Sequence, residues 1–203
     1  GQNRTATPRD YFTESIHGNE KFNAEKLAEE LIQEYNFLKI KGNKEGLKIY
    51  RNGIWKDQQH AEETIERQVN ERLGQETSAH YRANVKNIVT NHRKIQVQEE
   101  DFSHPKGLIP FNNGVYDIQE QEFKEYKPEH HFTFKYEAEY KPDLENNDVE
   151  TFIEEIAPES QDKRKKLHEI AALTIAPWRV KELMPILFGK GSNGKNQYVK
   201  LIK

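Results

Sequence analysis

The sequence predicts an α+β protein: helices with small antiparallel β-hairpins, kept in separate blocks along the chain. Apolar residues recur at helical spacing in Ala24–Tyr35 and again in Ala61–Leu73. Between them, "FLKIKGNKEGLKIYRNGIWK" breaks into short alternating runs cut by Gly42, Gly46 and Asn52-Gly53. A second β-rich block, "GLIPFNNGVYDIQEQEFKEYKPEHHFTFKYEAEY", follows before helices return.

Taken in order, the polar opening "GQNRTATPRD" carries no periodic pattern, so residues 1–20 are expected to be a flexible segment. Asn23 is placed to cap a helix whose inner face is Ala24, Leu27, Ala28, Leu31 and Tyr35. Asn52-Gly53 marks a tight hairpin turn. The stripe Ala61, Ile65, Val69, Leu73 makes a second helix that stops at Gly74, and Tyr81, Val85, Ile88 and Val89 turn a third inward against it. Glu99–Asp101 reads as a solvated connector. The second β block reads as three or four strands turning at Asn113-Gly114 and Gln119–Gln121. Helices are expected over Asp148–Ile156 and Gln161–Ala176, separated by Pro158 and closed by Pro177. The apolar run "MPILF" suits a short buried strand, with Pro185 tolerable near its start.

Composition narrows the function classes. Charged residues (32%) nearly equal apolar ones (34%) and mean hydropathy is −1.03, yet ten Phe, nine Tyr and two Trp suffice to seed a thin core. A net charge of −3 excludes a generally basic coat, so any nucleic-acid site must be a local patch. With no cysteine there is neither a disulfide framework nor a zinc ribbon, which fits a cytoplasmic location. No apolar stretch is long enough to span a bilayer, and no membrane partner is expected.

The strongest chemical motif is "LFGKGSNGKNQYVKLIK". Gly189, Gly194 and Lys195 match G-x-x-x-x-G-K, in which glycines let backbone N–H groups turn in on a phosphate and the lysine reaches its outer oxygens. The nucleotide-binding candidates are therefore Gly189, Lys190, Gly191, Ser192, Asn193, Gly194, Lys195 and Asn196. Asn196 stands where Ser or Thr normally ligates magnesium, so it is a weakened Mg2+ position. A glycine-rich surface turn is the competing reading. Arg82, Lys86 and Arg93, with Lys94 beside them, are expected on one helix face as candidate DNA contacts; the solvated face of an amphipathic helix is the simpler and favoured reading. Lys163–Lys166 has the same two readings, and there the solvated face is favoured more strongly because the run opens a helix beside acids. His130-His131 is not expected to share a metal, because neighbours on a strand point to opposite faces. No serine–histidine–acid arrangement follows from spacing.

Several segments together resemble one family. "GLIPFNNGVYDI" and "LKIYRNGIWK" are similar to elements of the N-terminal module in poxvirus-type and phage or plasmid primase–helicases. "VETFIEEIAP", "IAALTIAP" and "ILFGKGSNGKN" follow in that family's order, the last in the form of a superfamily 3 helicase loop, with Asn196 as the departure. The resemblance implies a pre-motor α+β module over residues 21–180 and the beginning of a P-loop ATPase domain over 181–203. It implies an ATP-dependent DNA helicase that replicates a virus, phage, plasmid or provirus, uses ATP and Mg2+, and assembles as a ring, a hexamer by analogy. Asn113, Gly114 and Trp55 match family positions and are expected to be structural, with Trp55 packing its hairpin onto the helices.

The chain ends eight residues after Lys195, so the acidic residue, polar sensor and arginine finger of a motor are expected beyond Lys203. On that reading the chain by itself holds no cofactor tightly and is inactive. The alternative is a non-catalytic DNA-binding or oligomerisation module with a vestigial phosphate loop. A small nucleotide kinase fits less well, for want of later strand–helix units.

Overall fold

In a computed structural model, which describes residues 7–14, 20–103, 105–144, 147–176, 184–189, 191 and 193–202, contacts divide the chain into two units. The first lies within Gly1–Ser103 plus Tyr126–Lys135, and the second within His104–Glu125 plus Tyr136–Lys203. The architecture is mixed α+β, as the sequence predicts.

In the first unit, strands β1 (Phe12–Glu14) and β2 (Glu20–Phe22) pair antiparallel ahead of helix α1 (Ala24–Glu34). The Asn23 side chain accepts the Lys26 N–H at 3.0 Å, satisfying an orphan donor of the first turn. A hairpin set follows: β3 (Phe37–Ile40), β4 (Leu47–Arg51) and β5 (Ile54–Lys56). Helix α2 (Gln58–Leu73) is capped by Asp57 and ends at Gly74; helix α3 (Ala79–Asn91) is capped by Ser78. Strand β6 (Gln96–Val97) then joins β3 in parallel, giving the sheet order β5-β4-β3-β6.

That sheet has two buried faces. Phe37, Leu47 and Ile49 face the helices and join Leu27, Leu31, Ile65, Val69, Val85 and Val89 in one core. One residue along, the pleat turns Leu38, Ile40, Tyr50 and Trp55 to the other side, where Phe102 and Val97 meet them. Trp55 therefore packs away from the helices, which corrects the expectation that it would pin the hairpin onto them. Its cover comes from residues 126–135: Trp55 Nε1–H donates to the Pro128 carbonyl at 2.8 Å and its amide to the Phe132 carbonyl at 2.7 Å.

The fold also begins earlier than expected. Tyr11, in a 3-10 turn over Pro8–Tyr11, is 1% exposed and belongs to the helical core. Its hydroxyl donates to Glu30 at 2.7 Å, and Arg72 bonds both Glu30 and Glu34, tying the segment to α1 and α2. Burial, then the bond to Glu30, pushes the Tyr11 hydroxyl pKa up. Residues 7–14 are thus part of the fold, not a flexible lead.

In the second unit, β7 (Leu108–Phe111), β8 (Gly114–Asp117) and β9 (Glu122–Lys124) form an antiparallel meander. The stretch 136–140 forms no strand but runs beside β7, where Tyr136 N–H donates to Pro110 O (2.8 Å) and Asn112 N–H to Ala138 O (2.9 Å). Asn113 then clamps Tyr140 at both backbone groups, accepting its N–H at 2.8 Å and donating to its carbonyl at 3.0 Å. Helices α4 (Asn147–Ile156), α5 (Gln161–Thr174) and α6 (Lys195–Leu201) complete the unit. Helix α5 ends two residues short of the expected Ala176; Pro177 lies outside the described residues.

"MPILF" is not a buried strand. Residues 184–189 have no regular secondary structure, and Phe188 is 97% exposed. A strand exists only by pairing its backbone, and no described strand of the chain pairs with this one.

Candidate functional site

The glycine-rich loop sits at the start of α6. Among the candidate residues, Gly189, Gly191, Asn193, Gly194, Lys195 and Asn196 are described; Lys190 and Ser192 lie outside the described residues. Gly194 is left-handed (φ +80°), and a Cβ there would stand 2.3 Å from Ile156 Cγ2. Glycine is needed at this point for both its torsion and its close approach to α4. The Lys195 ammonium folds back across the loop, donating to Gly189 O at 3.1 Å and Asn193 Oδ1 at 2.6 Å. It thus crosses the space between the first glycine and the helix. Asn196 is exposed on the first turn of α6, whose anchor is Tyr198, buried with its hydroxyl bonded to the Leu167 carbonyl of α5. Burial raises the Tyr198 pKa.

The basic residues separate. Arg82 and Lys86 are on α3, but Arg93 and Lys94 lie past its end in a 3-10 turn over Arg93–Ile95, so the four do not form one helical stripe. Lys86 turns toward α2, with its ammonium 3.0 Å from Glu62 and 3.9 Å from Glu66. Arg82 donates to the Asn70 side chain at 3.1 Å. Arg93 and Lys94 remain exposed. Much of the basic patch read from the sequence is therefore pairing between neighbouring helices.

His130 and His131 are not on a strand. His130 ends a 3-10 turn, and His131 is left-handed with its ring 5.0 Å from that of Phe102. Among the described residues no group of three or more His, Asp or Glu side chains could hold a metal ion, and no helix is long and apolar enough to cross a membrane. The carboxyls held below their usual range have structural causes. Asp57 is lowered by its bonds to His60, Asp117 by its bond to Lys124 and Glu139 by its bond to Lys141. Sequence reasoning missed the backing of Gly194 by Phe152 and Ile156, and the inward turn of Lys195. The only prior signal was the apolar periodicity of "VETFIEEI".

The two units define a mixed α+β module of small sheets and capped helices, followed by a glycine-rich loop and a short helix. The family described as "D5 N terminal like" matches residues 19–158, more than half of the chain, and the protein belongs to that family. The match points to the N-terminal region of D5-like primase–helicases of replication. It covers both β blocks and α1 to α4 and stops before α5 and the loop. No curated protein matches the chain.

Proposed function

We infer that this chain is the pre-motor part of an ATP-dependent replication helicase and that the loop Gly189–Asn196 holds nucleotide phosphates. The observation that carries this is the return of the Lys195 ammonium onto Gly189 O and Asn193 Oδ1. A triphosphate would replace those two oxygens with its own, and the ammonium need travel little to meet them. In the complete protein ATP and Mg2+ are the cofactors, DNA the substrate and a ring the working assembly, in the cytoplasm. The chain supplies phosphate contacts, whereas water positioning and the arginine finger come from elsewhere; such a finger is worth roughly 10³–10⁵ in rate.

Phosphate release measured with malachite green is expected at background for the 203-residue chain. A longer polypeptide carrying a complete motor should turn over and lose that activity on Lys195→Ala. Turnover by the short chain that Lys195→Ala abolishes contradicts the assignment of roles.

Asn196 and the unpaired run 184–188 favour a second reading, a DNA-binding or oligomerisation module with a vestigial loop. An active longer polypeptide insensitive to Lys195→Ala would support it. For DNA, contact through Arg82, Arg93 and Lys94 alone should give salt-sensitive, sequence-independent binding of about 10⁻⁴–10⁻⁶ M, because Lys86 is already paired. Fluorescence anisotropy at two salt concentrations checks this, and salt-independent nanomolar binding would exclude it.

A further inference from the structure

Beside the loop, the second unit carries an open groove of about 270 Å³ between α5 and residues 186–188. Its floor is apolar and includes Ile156, Ile170 and Leu187. Three lysines line it: Lys195 from the loop, and Lys163 and Lys166 from α5. Positions three apart on a helix share a face, so both α5 ammonium groups are presented to the same side as the floor. Asp162 and Glu169 flank them in sequence, yet among the described residues no carboxylate lines the groove. Neither Lys163 nor Lys166 has a carboxylate partner among the described residues, in contrast to Lys86.

Three positive charges beside an apolar floor suit a ligand with a polyanionic end and a flat, weakly polar body. We propose that Lys163 and Lys166 extend the phosphate loop into a nucleoside triphosphate site, with the phosphates along the lysines and the base on the apolar floor. The assignment rests on the reading of Gly189–Asn196 as a phosphate loop. It adds two binding residues from a preceding helix, each more than twenty residues ahead of the loop and outside the family match. It also predicts a ligand order: each phosphate removed takes away a partner for an ammonium, so ATP binds better than ADP, and adenosine least.

Lysine acetylation of the 203-residue chain, read by mass spectrometry with ATP, adenosine or an oligothymidylate present, tests the site residue by residue. ATP at millimolar concentration is expected to protect Lys163, Lys166 and Lys195 together, adenosine to protect none, and Lys41 in the first unit to react unchanged throughout. The Lys163→Ala/Lys166→Ala variant, altered only at exposed positions, should raise the Kd for ATP about tenfold. Protection of Lys195 alone, with that variant binding normally, overturns the groove and leaves the loop reading intact. Protection of Lys163 and Lys166 with no effect of Lys195→Ala makes the groove a site separate from the loop and overturns the proposal that it extends it. Protection of the α5 lysines by the oligonucleotide but not by ATP makes the groove a nucleic-acid surface and overturns the proposal. Absence of ATP protection at all three positions overturns both readings.

Discussion

Trp55→Ala is expected to destabilise the first unit by about 3–5 kcal/mol, the range for truncating a buried aromatic to alanine. Trp55 is 5% exposed and ties together two parts of the chain that are far apart in sequence. Its ring packs on Tyr50 (5.5 Å between centroids) and edge-on to Phe102 (6.3 Å), and its indole N–H ends on the Pro128 carbonyl. Alanine leaves a cavity between the sheet and residues 126–132 and removes the donor that holds them. Since domains are stable by only about 5–15 kcal/mol, this is a large share of the total. Trp55→Phe separates the two effects: it keeps most of the apolar contact but removes the indole donor, leaving the Pro128 carbonyl with the His131 N–H alone, at about 0.5–1.5 kcal/mol for the lost hydrogen bond. Urea unfolding followed by circular dichroism reads both variants. An unchanged midpoint for Trp55→Ala would show that residues 126–135 do not close this face in solution.

Gly53→Ala should lose about 2–4 kcal/mol, from a left-handed torsion and an overpacked contact together. Asn52 and Gly53 turn the β4–β5 hairpin with φ of +51° and +88°, the pattern of a two-residue turn whose twist matches the strands it joins. The Asn-Gly pair alone foretells that torsion. What it does not foretell is the ring of Tyr126 lying on the glycine, so that a Cβ would stand 2.6 Å from Tyr126 Cγ. Burial raises the Tyr126 pKa to about 12, which fits a ring pressed against the protein. The contact part of the loss should disappear in the Gly53→Ala/Tyr126→Ala background, leaving the torsional part. Additive losses in that cycle would mean the two residues do not meet.

Much of the local structure was legible because local physics decides it. The cap at Asn23, the stop at Gly74, the Asn52-Gly53 turn and the inward stripes of α1, α2 and α3 each depend on residues within a few positions of one another. So does the glycine-lysine spacing of the loop. The family assignment agrees with the resemblance carried by those same short segments over residues 19–158.

What the tertiary structure decided are the partners. A period of two says that Tyr50 and Trp55 share a sheet face, but not that residues 126–132 come back to cover it, because that return joins positions 73 apart. Lys86 looked like a free cation because Glu62, its counter-ion, is 24 residues away on another helix. Tyr11 looked like part of a polar lead because the helices that bury it follow later in the chain. "MPILF" has a strand's composition, but composition cannot supply the neighbouring backbone a strand must bond. Sequence thus determined the helices, turns and loop spacing, where the interacting groups are neighbours along the chain. Only the folded chain determined which faces are covered and which charges are neutralised, since these depend on distances between residues that sequence separation does not encode.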